Sequence, residues 1–521
     1  MKFLKHIILS LALATGFILL ANAQENALQT ISSADLQSHL SVIASDSLAG
    51  RGFTAEQQGL EMAASYLSAA IKKIGLQPGF ENYTQNFNII KSNPIPENSY
   101  LSVTAKNGGL LFQTDSLISL SRSKAHCSVE GEMVFAGFGW SNNKTGYNDF
   151  KGVDLEGKIV LYSAGLHDNF REQTPERWDN ALETAKIESA IQGGAKAVVI
   201  LTGIHQNGIR YSQIKRWMER DRFVLESNPV LETIPVVITP PQVADKMLGG
   251  KGKFKKYLSS ISRKMQPEPF LVEKSKLAIR IKNNVEPVPA KNIIGYVEGN
   301  DPVLKNECVI YLAHYDHLGT TVNGGIYNGA DDNGSGVVAL LEIAEAFKNL
   351  AKKLKRSVVF AWVTAEEVGL LGSQFYVQNP LFPLSQTIAC INLDMVGRVY
   401  EPRDSIWKKS PKLVKAEDGV YVLTSDFLPQ LGTITDSVSA SLGLVPDKTL
   451  PGYFFRSSDH HHFHSRGIPV LNLSTGYHAD YHKPSDEISK INFNKMERLG
   501  KLAFLTGFEL ANRVDLKKNK K

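Results

Sequence analysis

Apolar positions recur at helical spacing through residues 33–76. Leu36, Leu40 and Ile43 share one face, and Ala63, Ala64, Leu67, Ala70 and Ile71 share another. Gly75 and Pro78 end that stretch. From about residue 96 the pattern changes to short β-rich runs separated by Gly and Asn: Glu132–Phe138, Lys158–Tyr162, Ala197–Leu201 and Pro235–Ile238. Pro287 and Pro289 then read as a linker. From Asn292 strand and helix alternate. The strands are Val309–Ala313, Val358–Val363, Ile388–Leu393, Val420–Leu423 and Pro469–Leu473. The helices are Gly336–Leu350, Leu428–Leu442 and Asn494–Asn512. This order predicts an α/β fold, a central, mostly parallel mixed sheet flanked by helices, carrying an inserted β-rich domain. In such sheets ligands sit beyond the carboxyl ends of the strands.

The two ends of the chain change the picture of charge. Lys2 and Lys5 precede the apolar run Ile7–Leu20, and Ala21-Asn22-Ala23 follows. That is the pattern of a secretory signal peptide over residues 1–23, so the mature chain is expected to be exported, to the periplasm or beyond the cell, with no stable membrane span. The formal charge is +6, and the excess equals the six lysines at positions 2, 5, 517, 518, 520 and 521. A neutral body argues against a nucleic-acid partner. With 43% hydrophobic residues the chain can bury a real core. Three cysteines cannot form a disulfide scaffold; Cys308 and Cys390 lie in strand-like runs and read as buried thiols. The layout expected is a signal at 1–23, a first catalytic segment at 24–95, an insert at 96–286, the main catalytic segment at 287–513 and a basic tail at 514–521.

Polar residues cluster where the strands end. They are His314-Tyr315-Asp316-His317, Gly329 to Gly336 with Asp331-Asp332, Glu366-Glu367, Asp394 after Asn392-Leu393, and Tyr481-His482. Singly, each has an ordinary explanation as a turn, cap or solvated residue. Together, two His, two Asp and one Glu form a mixed N/O set with no thiolate, which suits a catalytic zinc site. Five ligands suffice for two ions if one carboxylate bridges them. Glu366, beside ligand candidate Glu367, is then free to take a proton from a metal-activated water, and Asp316 is placed to orient His314.

These motifs resemble the co-catalytic zinc exopeptidase family that includes leucyl-type aminopeptidases, aminopeptidase Y and glutamate carboxypeptidase. The resemblance rests on His314-x-Asp316, Gly329 to Gly336, Glu366-Glu367, Asp394-Met395-Val396-Gly397-Arg398, Ser458-Asp459-His460, and Tyr481-His482 with Pro484 and Asp486. It implies two Zn2+ per chain bridged by Asp332, chosen over Asp331 because it stands four residues before Gly336. His314 and Asp394 would complete one zinc, Glu367 and His482 the other, and Glu366 would be the general base. It also implies a cis peptide after Asp332. Arg456 and Tyr477, both near motif residues, are the candidate substrate contacts. Asp154 to Leu161, Ala190 to Ile200 and Ile234 to Thr239 resemble a protease-associated domain.

The expected activity is that of an aminopeptidase acting on peptides. A carboxypeptidase or dipeptidase of the glutamate carboxypeptidase type is the alternative, with a glutaminyl-cyclase-like acyltransferase behind it. A non-catalytic receptor on the same scaffold is disfavoured because no ligand is missing.

Overall fold

The structure is a computed structural model that describes residues 24–516, except 54–56, 96–97, 121–124, 143–144, 167–179, 203–210, 219–220, 228–233, 322, 351–353, 403 and 405–416. The signal segment and the terminal lysines lie outside the described residues. Among the described residues, no helix is long and apolar enough to cross a membrane. The chain divides into two compact units, one of residues up to Phe87 together with Pro289 onward, the other Asn88–Val288.

The first unit opens with α1 (Ser33–Ile43) and α2 (Gln58–Ile74). Ser32 caps α1 by accepting from Asp35 N–H, and Gly75 ends α2 in the left-handed region where a Cβ would be strained. Strand β1 (Gln77–Pro78) and the end of β2 (Phe270–Val297) follow, then β3 (Cys308–His314), α3 (Gly336–Asn349), β4 (Ser357–Val363), α4 (Leu371–Gln378) and β5 (Thr387–Leu393). After these come β6 (Gly419–Thr424), α5 (Pro429–Ser441), β7 (Val445–Asp447), α6 (His460–Ser465), β8 (Val470–Ser474) and α7 (Phe493–Asn512). The residues anticipated as a linker, Pro287 and Pro289, lie inside β2, exposed and alternating with buried Val288 and Ala290. A proline lacks only the N–H, so it is tolerated where no partner needs that donor.

Pairing gives the order β1-β2-β4-β3-β5-β8-β6-β7. Strands β3, β4, β5 and β8 run parallel, whereas β2 and β6 are antiparallel to their inner neighbours. All seven residues of β3, β4 and β5 are buried, as expected of strands covered on both faces. Alternation splits them between two cores. Val309, Tyr311 and Ala313 face α1, α2, α3 and α7, while Ile310 and Leu312 face Tyr376 of α4 and Phe463 of α6. The chain leaves β3 to one side for β4 and returns to the other side for β5. That reversal is the topological switch point, and it puts the carboxyl ends of β3, β4 and β5 around one crevice. None of the three cysteines is in a disulfide, and Cys308 and Cys390 are buried in the sheet.

The second unit is built on strands of its own. Ile159–Ser163, Ala197–Leu201 and Val236–Thr239 run parallel, and Ile159–Ser163 also pairs with His126–Phe135. The first part of β2 pairs antiparallel with His126–Phe135 and with Tyr100–Ala105. Phe135, Phe254, Leu277 and Ile279 are among its buried core.

Candidate metal centre

Each proposed ligand issues from a strand end of the first unit. His314 is the last residue of β3, Glu366 and Glu367 follow β4, Asp394 follows β5, and His482 lies in the loop after β8. Asp332 belongs to the loop between β3 and α3, where the Asp332–Asn333 peptide is cis. That loop is fixed closely against β5. Asn333 Nδ2 donates to the Leu393 carbonyl at 2.9 Å, and its Oδ1 accepts from Gly336 N–H at 3.1 Å. A Cβ at Gly336 would stand 2.4 Å from the Leu393 carbonyl oxygen, so only glycine lets the first turn of α3 approach. Ala365, Met395 and His482 all have positive φ, so the residues beside Glu366 and Asp394, and His482 itself, sit in the sparsely allowed left-handed region.

Two groups of ligand atoms converge on Asp332. His314 Nε2 is 3.6 Å from Asp332 Oδ1 and 3.6 Å from Asp394 Oδ1. On the other side, His482 Nε2 is 3.1 Å from Asp332 Oδ2 and 3.3 Å from Glu367 Oε2. His317, not anticipated from the sequence, joins this second group, with Nδ1 2.7 Å from Glu367 Oε1 and 3.8 Å from Asp332 Oδ2. Among the described residues, two clusters can hold an ion: His314 with Asp332 and Asp394, and His317 with Asp332 and Glu367. Asp331 faces elsewhere. Its Oδ1 accepts from Gly397 N–H at 2.7 Å and its Oδ2 is 3.2 Å from His478 Nε2.

Asp316, expected to orient His314, stands beside it. Its carboxylate oxygens accept from the main-chain N–H groups of Glu366 and Glu367 at 3.1 and 3.3 Å. His314 Nδ1 is 3.2 Å from the Asp316 carbonyl and 3.8 Å from its carboxylate. A proton on Nδ1 donated to that carbonyl leaves the Nε2 lone pair facing Asp332 and Asp394. Asp316 therefore braces the Glu366–Glu367 turn, while its main chain orients His314. Asp486 braces Asp332 in the same way, its Oδ2 accepting from Asp331 and Asp332 N–H at 3.0 and 3.1 Å. Buried Arg398 lies 3.1 Å from Asp480 and 3.2 Å from His478, and closes the polar layer beneath the loop.

The electrostatics fit a cation. Burial lowers the pKa of His314, but the charges of Glu366, Asp394 and Asp332 outweigh it and hold the pKa well above the usual value. Burial likewise opposes the charge on His482, yet hydrogen bonds with Asp332 and Glu367 carry it up to about 10. Glu367 is opposed by burial but is drawn below the carboxylate range by His317 and His482. Glu366 has no such partner, and burial with the charges of Glu367, Asp459 and Asp394 raises it well above the usual range, against the pull of His314. Several carboxylates and imidazoles aimed at one small volume draw positive charge, and an N/O donor set without sulfur matches zinc.

The site opens into a cavity that Glu366 lines together with Tyr421, Leu450, Phe454, Tyr477 and Tyr481. Tyr477 is thus at the cavity wall as expected. Arg456 is not; it is exposed at the end of the turn Gly452–Arg456 and does not line the cavity. His460 holds that turn, with Nε2 2.9 Å from the Phe454 carbonyl, and burial lowers its pKa to about 4. It supports the wall as a neutral donor.

A crevice at the carboxyl edge of a mostly parallel sheet, with carboxylate and imidazole groups converging on one shared aspartate, defines the peptidase class that the motifs resemble. Residues 292–506 match the model of peptidase family M28. Aminopeptidase YwaD of Bacillus subtilis is 31% identical over 231 residues, 42% of this chain and 44% of that protein. Leucine aminopeptidase 2 of Trichophyton rubrum is 30% identical over 229 residues, 39% of this chain and 41% of that protein. The matches therefore span less than half the length of these relatives. The fold is similar to that of an aminopeptidase from Aneurinibacillus sp. strain AM-1, with a TM-score of 0.51 at 19% identity over 96% of this chain and 98% of that one.

Proposed function

We propose that this chain is an exported, zinc-dependent aminopeptidase that releases amino-terminal residues from peptides. The observation that carries the reading is Asp332, one carboxylate facing His314 and Asp394 through one oxygen and His482 and Glu367 through the other. Asp332 would bridge two zinc ions, His314 and Asp394 would complete one, and Glu367 and His482 the other. Bound there, zinc supplies Lewis-acid polarisation of a scissile carbonyl and lowers the pKa of water toward 7. Glu366 reaches the cavity without a ligand role in this reading and is the group that accepts a proton from water and returns it to the leaving amine. Tyr477, Phe454 and Leu450 form an apolar wall suited to the first side chain of the substrate. The insert, read as a protease-associated domain, would sort or cover substrate and takes no part in the chemistry. Aminopeptidases named among the relatives add weight to this activity.

The deciding experiment is hydrolysis of matched peptides with free and acetylated amino termini, each with and without chelator, alongside a zinc count per chain. Cleavage of the free-amine set alone, abolished by chelator and restored by zinc, supports the reading. Preference for a free carboxyl terminus would replace it with a carboxypeptidase, and one zinc with cyclisation of amino-terminal glutamine would replace it with a cyclase.

A further inference from the structure

Arg51 is completely buried, and among the described residues no carboxylate stands within ion-pair distance of it. Its donors go to main-chain carbonyls instead. Nε donates to Tyr315 O at 2.9 Å, Nη1 to Asn328 O at 2.7 Å and to Ile43 O at 2.5 Å, and Nη2 to Gly329 O at 3.0 Å. Tyr315 lies between His314 and Asp316. Asn328 and Gly329 lead directly into Asp331-Asp332. One guanidinium therefore ties the loop after β3 to the loop that bears the shared aspartate. The contact is returned by the backbone, since His317 N–H donates to Arg51 O at 3.1 Å and Gly319 N–H to Gly50 O at 3.0 Å. The approach is so close that a Cβ on Gly50 would sit 2.2 Å from Gly319 O, and one on Gly52 would sit 2.5 Å from Gly319 Cα. Arg51 itself is held at φ 49°, in the left-handed region that a non-glycine residue seldom adopts.

An unpaired buried cation is costly, and so is a knot of carboxylates with no cation among them. The two lie together here. The charges that act on Arg51 are those of Asp332, Asp316, Asp486 and Glu367. Asp332 and Glu367 are ligands in the zinc reading, and Asp316 and Asp486 are their braces. We propose that Arg51 is a positioning residue that clamps both ligand-bearing loops and lends the carboxylate cluster one fixed positive charge, so that the cradle is already formed before zinc enters. The inference rests on the zinc reading. Its role lies in metal uptake and leaves the chemistry of peptide cleavage to other groups.

Planarity matters to this task. A lysine keeps the charge but offers a single nitrogen in place of the three that hold Tyr315, Asn328 and Gly329. The test is zinc affinity, measured by competition with a chromophoric chelator on folded protein, for wild type, R51K and R356K. Arg356 is an equally buried arginine that donates to the Leu510 carbonyl far from the site, so it controls for stability loss alone. R51K is expected to weaken zinc binding by about 10–100-fold, the range for groups that support metal ligands, while R356K leaves it unchanged. Wild-type affinity in R51K overturns the proposal. A second measurement needs no variant. In zinc-free wild type, amide exchange over 328–332 should stay as slow as in the zinc-loaded protein. Rapid exchange there on zinc removal overturns the proposal even if R51K fails to fold. Wild-type protein that takes up no zinc at all refutes the zinc reading itself, and with it this inference.

Discussion

His317 meets Glu367 at 2.7 Å through Nδ1, on the oxygen that His482 does not approach. The carboxylate is thus held from two sides by imidazoles, one buried in the loop after β3 and one half-exposed in the loop after β8. Its second oxygen can turn toward a cation only because the first has a donor. Removing that donor by H317A should weaken binding of one zinc by about 10–100-fold, the range for partners of metal ligands. The other zinc should be retained. Stepwise chelator titration separates the two, and equal loss of both ions would show that His317 does not act through Glu367.

Glu366 is the group whose removal should separate chemistry from binding. E366Q keeps the side-chain shape and the main-chain N–H that Asp316 accepts. Zinc content should match wild type, while turnover of a free-amine peptide falls by about 10²–10⁴, the usual share of general acid–base catalysis. Wild-type-like turnover would remove Glu366 from the mechanism.

Asp332 makes a different prediction. D332N keeps volume and hydrogen-bonding capacity but removes the charge that both groups share. Metal analysis of D332N should show depletion of both ions, whereas D394N should deplete one. Full occupancy in D332N would show that no shared carboxylate is needed.

Stability should depend on pH through Glu342, which lies on α3 with its side chain buried, 3.5 Å from His39 Nε2. Burial, reinforced by the charges of Asp35 and Glu345, pushes its pKa up from 4.5 to about 8. The folded state therefore holds this proton more tightly than the unfolded state. The stability it contributes is fully present below about pH 4.5 and is lost as pH rises through about 8. E342Q cannot titrate, so its thermal midpoint should fall less than that of wild type between these limits. A pH profile parallel to wild type would place the cause elsewhere.

The sequence was informative where local rules decide the outcome. Buried parallel strands read as unbroken apolar runs, so β3, β4 and β5 were legible to within a residue or so of their ends. Polar residues at the ends of such runs stand out for the same reason, and the structure brings His314, Asp332, Glu367, Asp394 and His482 together. Residues that act across long sequence separations were not legible. Arg51 looks like a solvated turn residue until the loops at 315 and 328 are seen to fold over it. His317 is one position beyond a recognised motif, and only its distance to Glu367 gives it a role. Exposure along one short turn was not legible either: Phe454 lines the cavity wall, whereas Arg456, two positions on, is exposed.

Helices α1 and α2 bury their apolar faces against α3, and α1 also against α7, the last helix of the unit. These partners are made only after the entire second unit, and His482 and α7 come later still. During synthesis the leading helices therefore wait with unsatisfied apolar faces, while the intervening unit already has a core of its own to close. His482 is the last made of the residues gathered around Asp332, so a nascent chain halted before it holds His314, Glu367 and Asp394 in sequence but cannot yet complete the group.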